Sequence, residues 1–228
     1  QLSLEEMKAI VSVADDYGSY VIAHAYHDRS VNRAIDAGIR MIEHGFLMSE
    51  ATMERMIEEG IVLSVQAQAS LETFGNVEAI DFFTADQKAK GAAVNAGATQ
   101  MLTWAVDKGV TMVLGGDMFG PDHNRQADNL IWFNTIAKNP LLVLQSSTST
   151  PGRLLGEMSG GMNPYKEGPI GVIEEGAYAD IILVDGNPLE NLEAVKRNNV
   201  AFVMKDGLVY KNWLPDEKAP AFQPAGPK

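Results

Sequence analysis

The sequence predicts an α/β fold in which parallel strands alternate with helices, and two observations lead to this prediction. Helical patterns that end at a glycine are each followed by a short apolar run, three times in succession. His24, His44 and Asp117 each follow such a run directly. In a parallel α/β barrel the carboxyl ends of the strands form one face, on which side chains far apart in sequence converge. We therefore expect the functional site on that face.

The first three units share one order of helix, glycine and strand. In the first helix apolar residues recur at helical spacing, and Ser3 with Glu6 has the form of a capping box. The third apolar run is rich in β-branched residues, which fit a buried strand. The helices, the glycines that end them and the apolar runs are residues 4–17, Gly18 and 20–23; residues 29–37, Gly38 and 39–43; and residues 50–59, Gly60 and 61–65.

The middle of the chain is predicted to hold a loop, one more strand and several helices. Residues 66–86 are polar with few structural signals, and we expect a loop over the ligand-bearing face. Residues 87–108 favour a helix that is broken or bent around Gly97. The next strand is predicted over residues 110–114 and leads through two glycines to Asp117. Further helices are predicted over residues 129–137, 140–147 and 148–158.

Beyond Gly160 glycines and prolines become frequent, and short strands are predicted instead of helices. Asp206 and Gly207 between two apolar pairs are typical of a hairpin turn, which needs positive φ at its centre. The predicted strands cover residues 180–184, 200–204 and 208–210, and the tail from Pro215 is expected to be extended or mobile.

Composition restricts the classes of partner. The chain has 228 residues, a formal net charge of -12 and no cluster of Lys and Arg, which argues against a nucleic-acid partner. Because there is no cysteine, a bound metal would need His nitrogen and carboxylate oxygen. No apolar stretch approaches the roughly 20 residues of a membrane span, so we expect a soluble protein without a membrane partner. Whether it is cytoplasmic or exported stays open.

Four segments in this order carry a family resemblance. They are Ala23-His24-Ala25-Tyr26, Ile42-Glu43-His44-Gly45, Gly115-Gly116-Asp117 and residues 171–188. With them the chain resembles the metal-dependent amidohydrolase superfamily, in particular its imidazolonepropionase-like and Xaa-Pro dipeptidase (prolidase-like) branch. The resemblance runs from the first helix to about Lys211.

The resemblance implies a fold and its division into parts. His24 would end strand five, His44 strand six and Asp117 strand eight of a TIM-type (β/α)8 barrel, with residues 61–65 as strand seven. Residues 1–160 would then be the C-terminal half of this barrel, residues 161–214 part of a small β-sandwich domain, and residues 215–228 an extended tail.

The family's His-x-His pair of strand one and its carboxylated lysine of strand four have no counterpart in this chain. The chain also begins like a helix inside a domain, without an initiator Met. We therefore expect a partner in the missing N-terminal half of the same protein, upstream of Gln1. A homo-oligomer is expected as well.

The resemblance also implies a metal site. His24, His44 and Asp117 would bind a divalent metal, with zinc expected as one or two ions. Asp117 would in addition be catalytic, taking a proton from the attacking water and passing it to the leaving nitrogen. A lone histidine after a strand is more often structural, and Asp117 could instead cap the loop that follows. Glu43 is expected on the strand face opposite His44, as a supporting or packing group.

Four other residues are candidates for binding the substrate. Tyr26 and His27 follow His24, where they could meet a substrate carboxylate or carbonyl. His123 and Arg125 lie in the loop after Asp117, and an arginine can hold a carboxylate in two parallel hydrogen bonds. The alternative for all four is an ordinary solvated loop position.

The leading functional hypothesis is a metal-dependent hydrolase that cleaves an amide or peptide C–N bond of a small-molecule substrate, of the Xaa-Pro dipeptide or N-acyl amino acid type. One alternative is a cyclic-amide hydrolase of the imidazolonepropionase kind. The other is a non-catalytic fragment that serves assembly only.

Overall fold

The computed structural model describes residues 2–118 and 120–214, without the side chains of residues 121 and 122. Its larger part is an α/β unit with a four-stranded parallel sheet in the order β1-β2-β3-β4. Each strand follows a helix. The elements are α1 (Leu4–Asp16), β1 (Ile22–His27), α2 (Asp28–Asp36), β2 (Met41–Leu47), α3 (Glu50–Glu58), β3 (Val62–Val65), α4 (Ala85–Lys108) and β4 (Met112–Leu114).

The predicted helix–glycine–strand repeat is confirmed. Ser3 caps α1 and exchanges hydrogen bonds with Glu6, as the capping-box pattern predicts. The sheet packs against its helices through apolar side chains that are almost wholly buried. The largest of them are Phe46, Phe133, Ile42, Met53, Met56 and Leu63.

The remaining elements follow β4. Three helices, α5 (Asp128–Ala137), α6 (Pro140–Ser147) and α7 (Ser149–Ser159), precede a three-stranded antiparallel sheet. That sheet consists of β5 (Ile181–Val184), β6 (Val200–Lys205) and β7 (Leu208–Asn212). Asp206 and Gly207 both have positive φ between β6 and β7, so the predicted hairpin is confirmed. The predicted tail, residues 215–228, lies outside the described residues.

One expectation from the sequence is wrong, and a second is wrong in part. Residues 66–86 are not a plain loop, because a π-helix (Gln68–Thr73) and a 3-10 helix (Phe74–Ala79) follow β3. The helix α4 is continuous through Gly97 rather than broken there. The glycine serves close packing instead, since a Cβ at Gly97 would lie 2.5 Å from the carbonyl oxygen of Phe46 in β2.

The parallel register brings the carboxyl ends of the four strands to one edge. Ala25 pairs with His44 across β1 and β2, and Val65 pairs with Leu114 across β3 and β4. β1 and β4 each have a single strand neighbour among residues 2–118 and 120–214. A search of the same residues finds no helix with the length and apolar character needed to cross a membrane.

Candidate active site

His24 and His44 meet at the carboxyl ends of β1 and β2. The Nδ1 atom of His24 lies 2.8 Å from the Nε2 atom of His44. Two imidazole nitrogens that bind one tetrahedral zinc ion at about 2.0–2.1 Å would be about 3.3–3.4 Å apart. The pair therefore needs to open by only about 0.5 Å to fill two coordination positions of one cation.

The backbone at His44 explains how its ring reaches His24. His44 has φ 74°, and the following Gly45 has φ 66°. Such values are unfavourable for a residue with a Cβ atom, and they interrupt the alternation of side chains along β2. Among the described residues only four non-glycine positions have positive φ, and two of them are His44 and Asp117. Strained backbone concentrates at functional sites, so this coincidence favours a functional role for both residues.

The surroundings of His44 favour its neutral form. Its side chain is buried, with 5% relative exposure. Burial lowers the pKa of His44 below its usual 6.5, although the charge of Asp117 opposes this shift. A neutral imidazole is the form that binds metal ions.

Tyr26 stacks on the His44 ring, with 4.8 Å between the ring centroids and an interplanar angle of 23°. Burial raises the pKa of Tyr26, and the charge of Asp117 raises it further. The hydroxyl therefore keeps its proton at neutral pH and can act as a hydrogen-bond donor. Of the four candidate substrate-binding residues, Tyr26 is the one that contacts the histidine pair directly.

Asp117 lies close enough to act on His44 and Tyr26 through its charge. Its side chain is exposed just beyond β4. Among the described residues, however, no group of three or more His, Asp or Glu side chains is arranged to hold a metal ion. The structure thus brings together two nitrogen donors and a nearby carboxylate. This donor set is chemically suited to a divalent first-row ion.

Sequence reasoning missed Gln66, which directly follows β3 and has 2% relative exposure. Its amide nitrogen donates to the Glu43 carboxylate and to the Ser64 hydroxyl, the latter over 3.1 Å. The Oε1 atom of Gln66 is buried and has no hydrogen-bond partner among the described residues. The signal was available, because Gln66 occupies the same strand-end position as the predicted ligands.

Glu43 has a contact that agrees with the expected supporting role, because its carboxylate accepts from the Gln66 amide nitrogen. In the register, Glu43 pairs with His24 on one side and with Ser64 on the other. The charge of Glu43 also acts on the neighbouring His44, where it opposes the lowering of the His44 pKa. The placement of Glu43 on the strand face opposite His44 stays a prediction.

The other three candidates for substrate binding are exposed residues at the end of β1 or after β4. His27 is exposed, and its backbone exchanges hydrogen bonds with the Ser30 hydroxyl at the start of α2. His123 is exposed in a short 3-10 helix (Gly120–Arg125). Arg125 already has two carboxylate partners, because it donates to Glu72 over 2.7 Å and to Asp128 over 2.9 Å.

A cavity of about 600 Å³ opens beside the histidine pair. Its polar lining residues include His24, Tyr26, His27 and Lys90. The rest of the wall is largely apolar and includes Leu47, Phe74, Phe83 and Val94. A cavity of this size, with a few polar groups in a largely apolar wall, is typical of small-molecule sites.

The Amidohydrolase family model matches residues 1–209. The chain belongs to the amidohydrolase family. Ochratoxinase from Aspergillus niger is 28% identical over 96% of this chain and 45% of its own length. A crystal structure of a Xaa-Pro dipeptidase with bound methionine in the active site is 30% identical, with a TM-score of 0.81 over 93% of this chain and 50% of that chain.

A prolidase complexed with N-methylphosphonate-L-proline is similar to the same extent. It is 31% identical, with a TM-score of 0.80 over 93% of this chain and 50% of that chain. The chain therefore spans about half the length of the relatives that it matches. The resemblance to the metal-dependent amidohydrolase superfamily, with prolidase-like relatives, is confirmed, and the α/β fold with its parallel sheet matches these neighbours.

Proposed function

We propose that this chain is part of a metal-dependent hydrolase that cleaves the amide or peptide C–N bond of a small substrate, of the Xaa-Pro dipeptide or N-acyl amino acid type. The observation that carries the proposal is the 2.8 Å approach of His24 Nδ1 to His44 Nε2 at the carboxyl ends of two parallel strands. The names of the similar proteins, a prolidase, a Xaa-Pro dipeptidase and an ochratoxinase, support this class of substrate.

The two histidines would hold a divalent ion, and zinc suits their nitrogen donors. When bound, such an ion lowers the pKa of a water ligand and polarises a carbonyl group. One or two ions are proposed. The other ligands would come from Asp117 and from a complementary barrel half that carries strands one to four.

The proposed architecture follows from the sheet edges. β1 and β4 each have one strand neighbour among the described residues, and Ile22 on β1 is 42% exposed. Closing a sheet into a barrel removes such edges. We therefore propose that residues 1–160 are strands five to eight of a TIM-type barrel, with residues 161–214 as part of a small β-sandwich domain. The exposed apolar residues Val13 and Tyr17 on α1 support the further proposal of a homo-oligomer.

Each proposed step in this chain has a residue that can perform it. The Asp117 carboxylate would take the proton of the attacking water and return it to the leaving nitrogen. The Tyr26 hydroxyl, protonated at neutral pH, would donate to a substrate carbonyl or carboxylate. The apolar cavity would hold the acyl or side-chain portion of the substrate and exclude water.

The experiment uses the assembled protein, meaning this chain together with the complementary barrel half. Metal content is measured for wild type, His24→Gln and His44→Gln, with His123→Gln as the matched control, because His123 lies outside the pair. We expect the first two variants to lose metal and the control to retain it.

Hydrolysis is then measured on Xaa-Pro dipeptides, N-acyl amino acids and a cyclic amide. Asp117→Asn should lower kcat by at least about 100-fold, whereas Asp107→Asn on the exposed end of α4 should not. A wild-type protein without metal and without hydrolytic activity would leave the non-catalytic assembly role, whereas wild-type kcat in Asp117→Asn would overturn the proposed role of Asp117. Exclusive turnover of the cyclic amide would indicate the imidazolonepropionase-like alternative.

A further inference from the structure

Asn129 in α5 has three hydrogen bonds at the ends of β3 and β4. Its side-chain nitrogen donates to the carbonyl oxygen of Gly115 over 2.7 Å and to that of Val65 over 3.3 Å. Its side-chain oxygen accepts from the backbone nitrogen of Gln68 over 3.0 Å. The residue has 2% relative exposure. All three partners are main-chain groups, so Asn129 is bound to backbone positions rather than to flexible side chains.

The two hydrogen bonds that Asn129 donates lie where β3 and β4 end. Val65 is the last residue of β3, and Gly115 directly follows β4. The nitrogen of Gly115 still donates to the oxygen of Val65 over 3.0 Å, as the final bond between the two strands. Among the described residues, the Gly115 carbonyl takes its hydrogen bond from Asn129 rather than from a neighbouring strand. Gly115 lies two residues before Asp117, whose φ of 51° requires a defined backbone path.

Two further contacts fix α5 against this region. Arg125 donates to Glu72 of the π-helix and to Asp128, the residue before Asn129. Gln126 covers Gly116, since a Cβ atom at Gly116 would lie 1.9 Å from the Gln126 Oε1 atom. The start of α5 is therefore attached both to the π-helix and to the segment that leads to Asp117.

We infer that Asn129 is a positioning residue for Asp117, because it fixes the strand ends from which the Asp117 loop starts. The inference rests on the proposed function, in which Asp117 moves the proton. Without the Asn129 amide, the part-buried Gly115 carbonyl loses its donor, while the Val65 carbonyl keeps only the Gly115 nitrogen, and an unsatisfied polar group away from water is costly. The Asp117 loop can relieve this cost by moving toward solvent. A displacement of about 1 Å at a reacting group can cost about 100-fold in rate.

The test is Asn129→Asp in the assembled protein. This variant keeps the acceptor for the Gln68 nitrogen and removes both donated hydrogen bonds. The matched control is Asn134→Asp on the same helix, where the Asn134 oxygen is buried but has no hydrogen-bond partner among the described residues. We expect kcat to fall about 10- to 100-fold in Asn129→Asp with little change in KM, and to stay within about twofold in the control.

A double-mutant cycle separates positioning of Asp117 from general damage. In an Asp117→Asn background, Asn129→Asp should change the residual kcat by less than about threefold. Amide hydrogen exchange of residues 112–118 gives a readout independent of activity, and it should become faster in Asn129→Asp only. If Asn129→Asp does not fold, Asn129→Ser, which keeps one hydroxyl donor and adds no charge, is measured in the same way.

The inference is overturned if the Asn129 variant that folds has wild-type kcat. It is also overturned if that variant loses the same factor in kcat in the wild-type and Asp117→Asn backgrounds. Wild-type kcat in Asp117→Asn alone instead overturns the role of Asp117 in the proposed function. The two failures are therefore distinguishable.

Discussion

Gly97 lies within the continuous helix α4, where a glycine is normally unfavourable, and its replacement by alanine tests how closely this helix packs on the sheet. An alanine Cβ at this position would lie 2.5 Å from the Phe46 carbonyl oxygen and 2.7 Å from a methyl group of Leu47. Phe46 and Leu47 follow His44 in β2. The contact therefore involves the strand that carries one of the candidate ligands.

The expected magnitude follows from two opposing effects. Carbon–oxygen contacts are normally about 3.3–3.6 Å, so α4 would have to move outward by about 1 Å. Overpacking of this kind costs about 1–3 kcal/mol. Alanine gains about 1 kcal/mol over glycine in a helix interior, which offsets part of the cost. We therefore expect Gly97→Ala to lower the free energy of unfolding by up to about 2 kcal/mol, rather than to raise it.

The assay is urea unfolding of the assembled protein, followed by helix circular dichroism. Gly156→Ala in α7 is the matched control, because a Cβ atom there meets no other atom within 4 Å. The control should stabilise the protein by about 0.4–1 kcal/mol. If both variants stabilise the protein equally, the close packing of α4 on β2 would be refuted.

Two further predictions concern the helix starts and the cavity. The Asp28 carboxylate accepts from the backbone nitrogen and the hydroxyl of Ser49 over 2.7 and 2.9 Å. Burial raises the pKa of Asp28, but the hydrogen bonds outweigh burial and lower the pKa below its usual 3.8. The stabilising effect of the Asp28 carboxylate is therefore complete above pH 3.8, and it is lost as the pH falls through the folded-state pKa. The stability difference between wild type and Asp28→Asn, about 1 kcal/mol at pH 7, should therefore shrink toward pH 3, and a constant difference would contradict this. Phe83→Ala should lower kcat/KM for substrates with an aromatic side chain about tenfold and spare those with a methyl group. Phe82→Ala, whose ring is 84% exposed outside the cavity, is the control, and equal effects of the two variants would argue against the cavity as the binding site.

The α/β class and the order of its elements were predictable because burial alone determines them. Apolar runs separated by helix-ending glycines predicted the ends of β1 to β3 to within four residues. The region after β3 was not predictable in the same way. A π-helix has no periodic signature of its own, and its polar residues Gln68 and Glu72 are held by the distant Asn129 and Arg125.

The candidate site was predictable only in part, for a similar reason. The positions of His24 and His44 at strand ends could be inferred from the repeat, and their approach follows from the register of β1 and β2. The left-handed backbone conformation of His44 could not be inferred from the sequence, because it depends on Gly45 and on packing that no local pattern encodes. Arg125 is 45% exposed, in agreement with the solvated alternative, and it also pairs with the carboxylates of Glu72 and Asp128.

The same geometry links metal binding to assembly in the proposed enzyme. Two imidazoles occupy only two of the positions that a tetrahedral ion requires, and among the described residues no third His, Asp or Glu is arranged with them to hold the ion. A cation held by His24 and His44 would thus depend for most of its affinity on ligands from the complementary barrel half. Anything that binds the assembled state alone stabilises it by mass action. Metal added to the two halves should therefore strengthen their association, and the effect should be much weaker in His44→Gln, because that variant removes one of the two histidine ligands on this side of the interface.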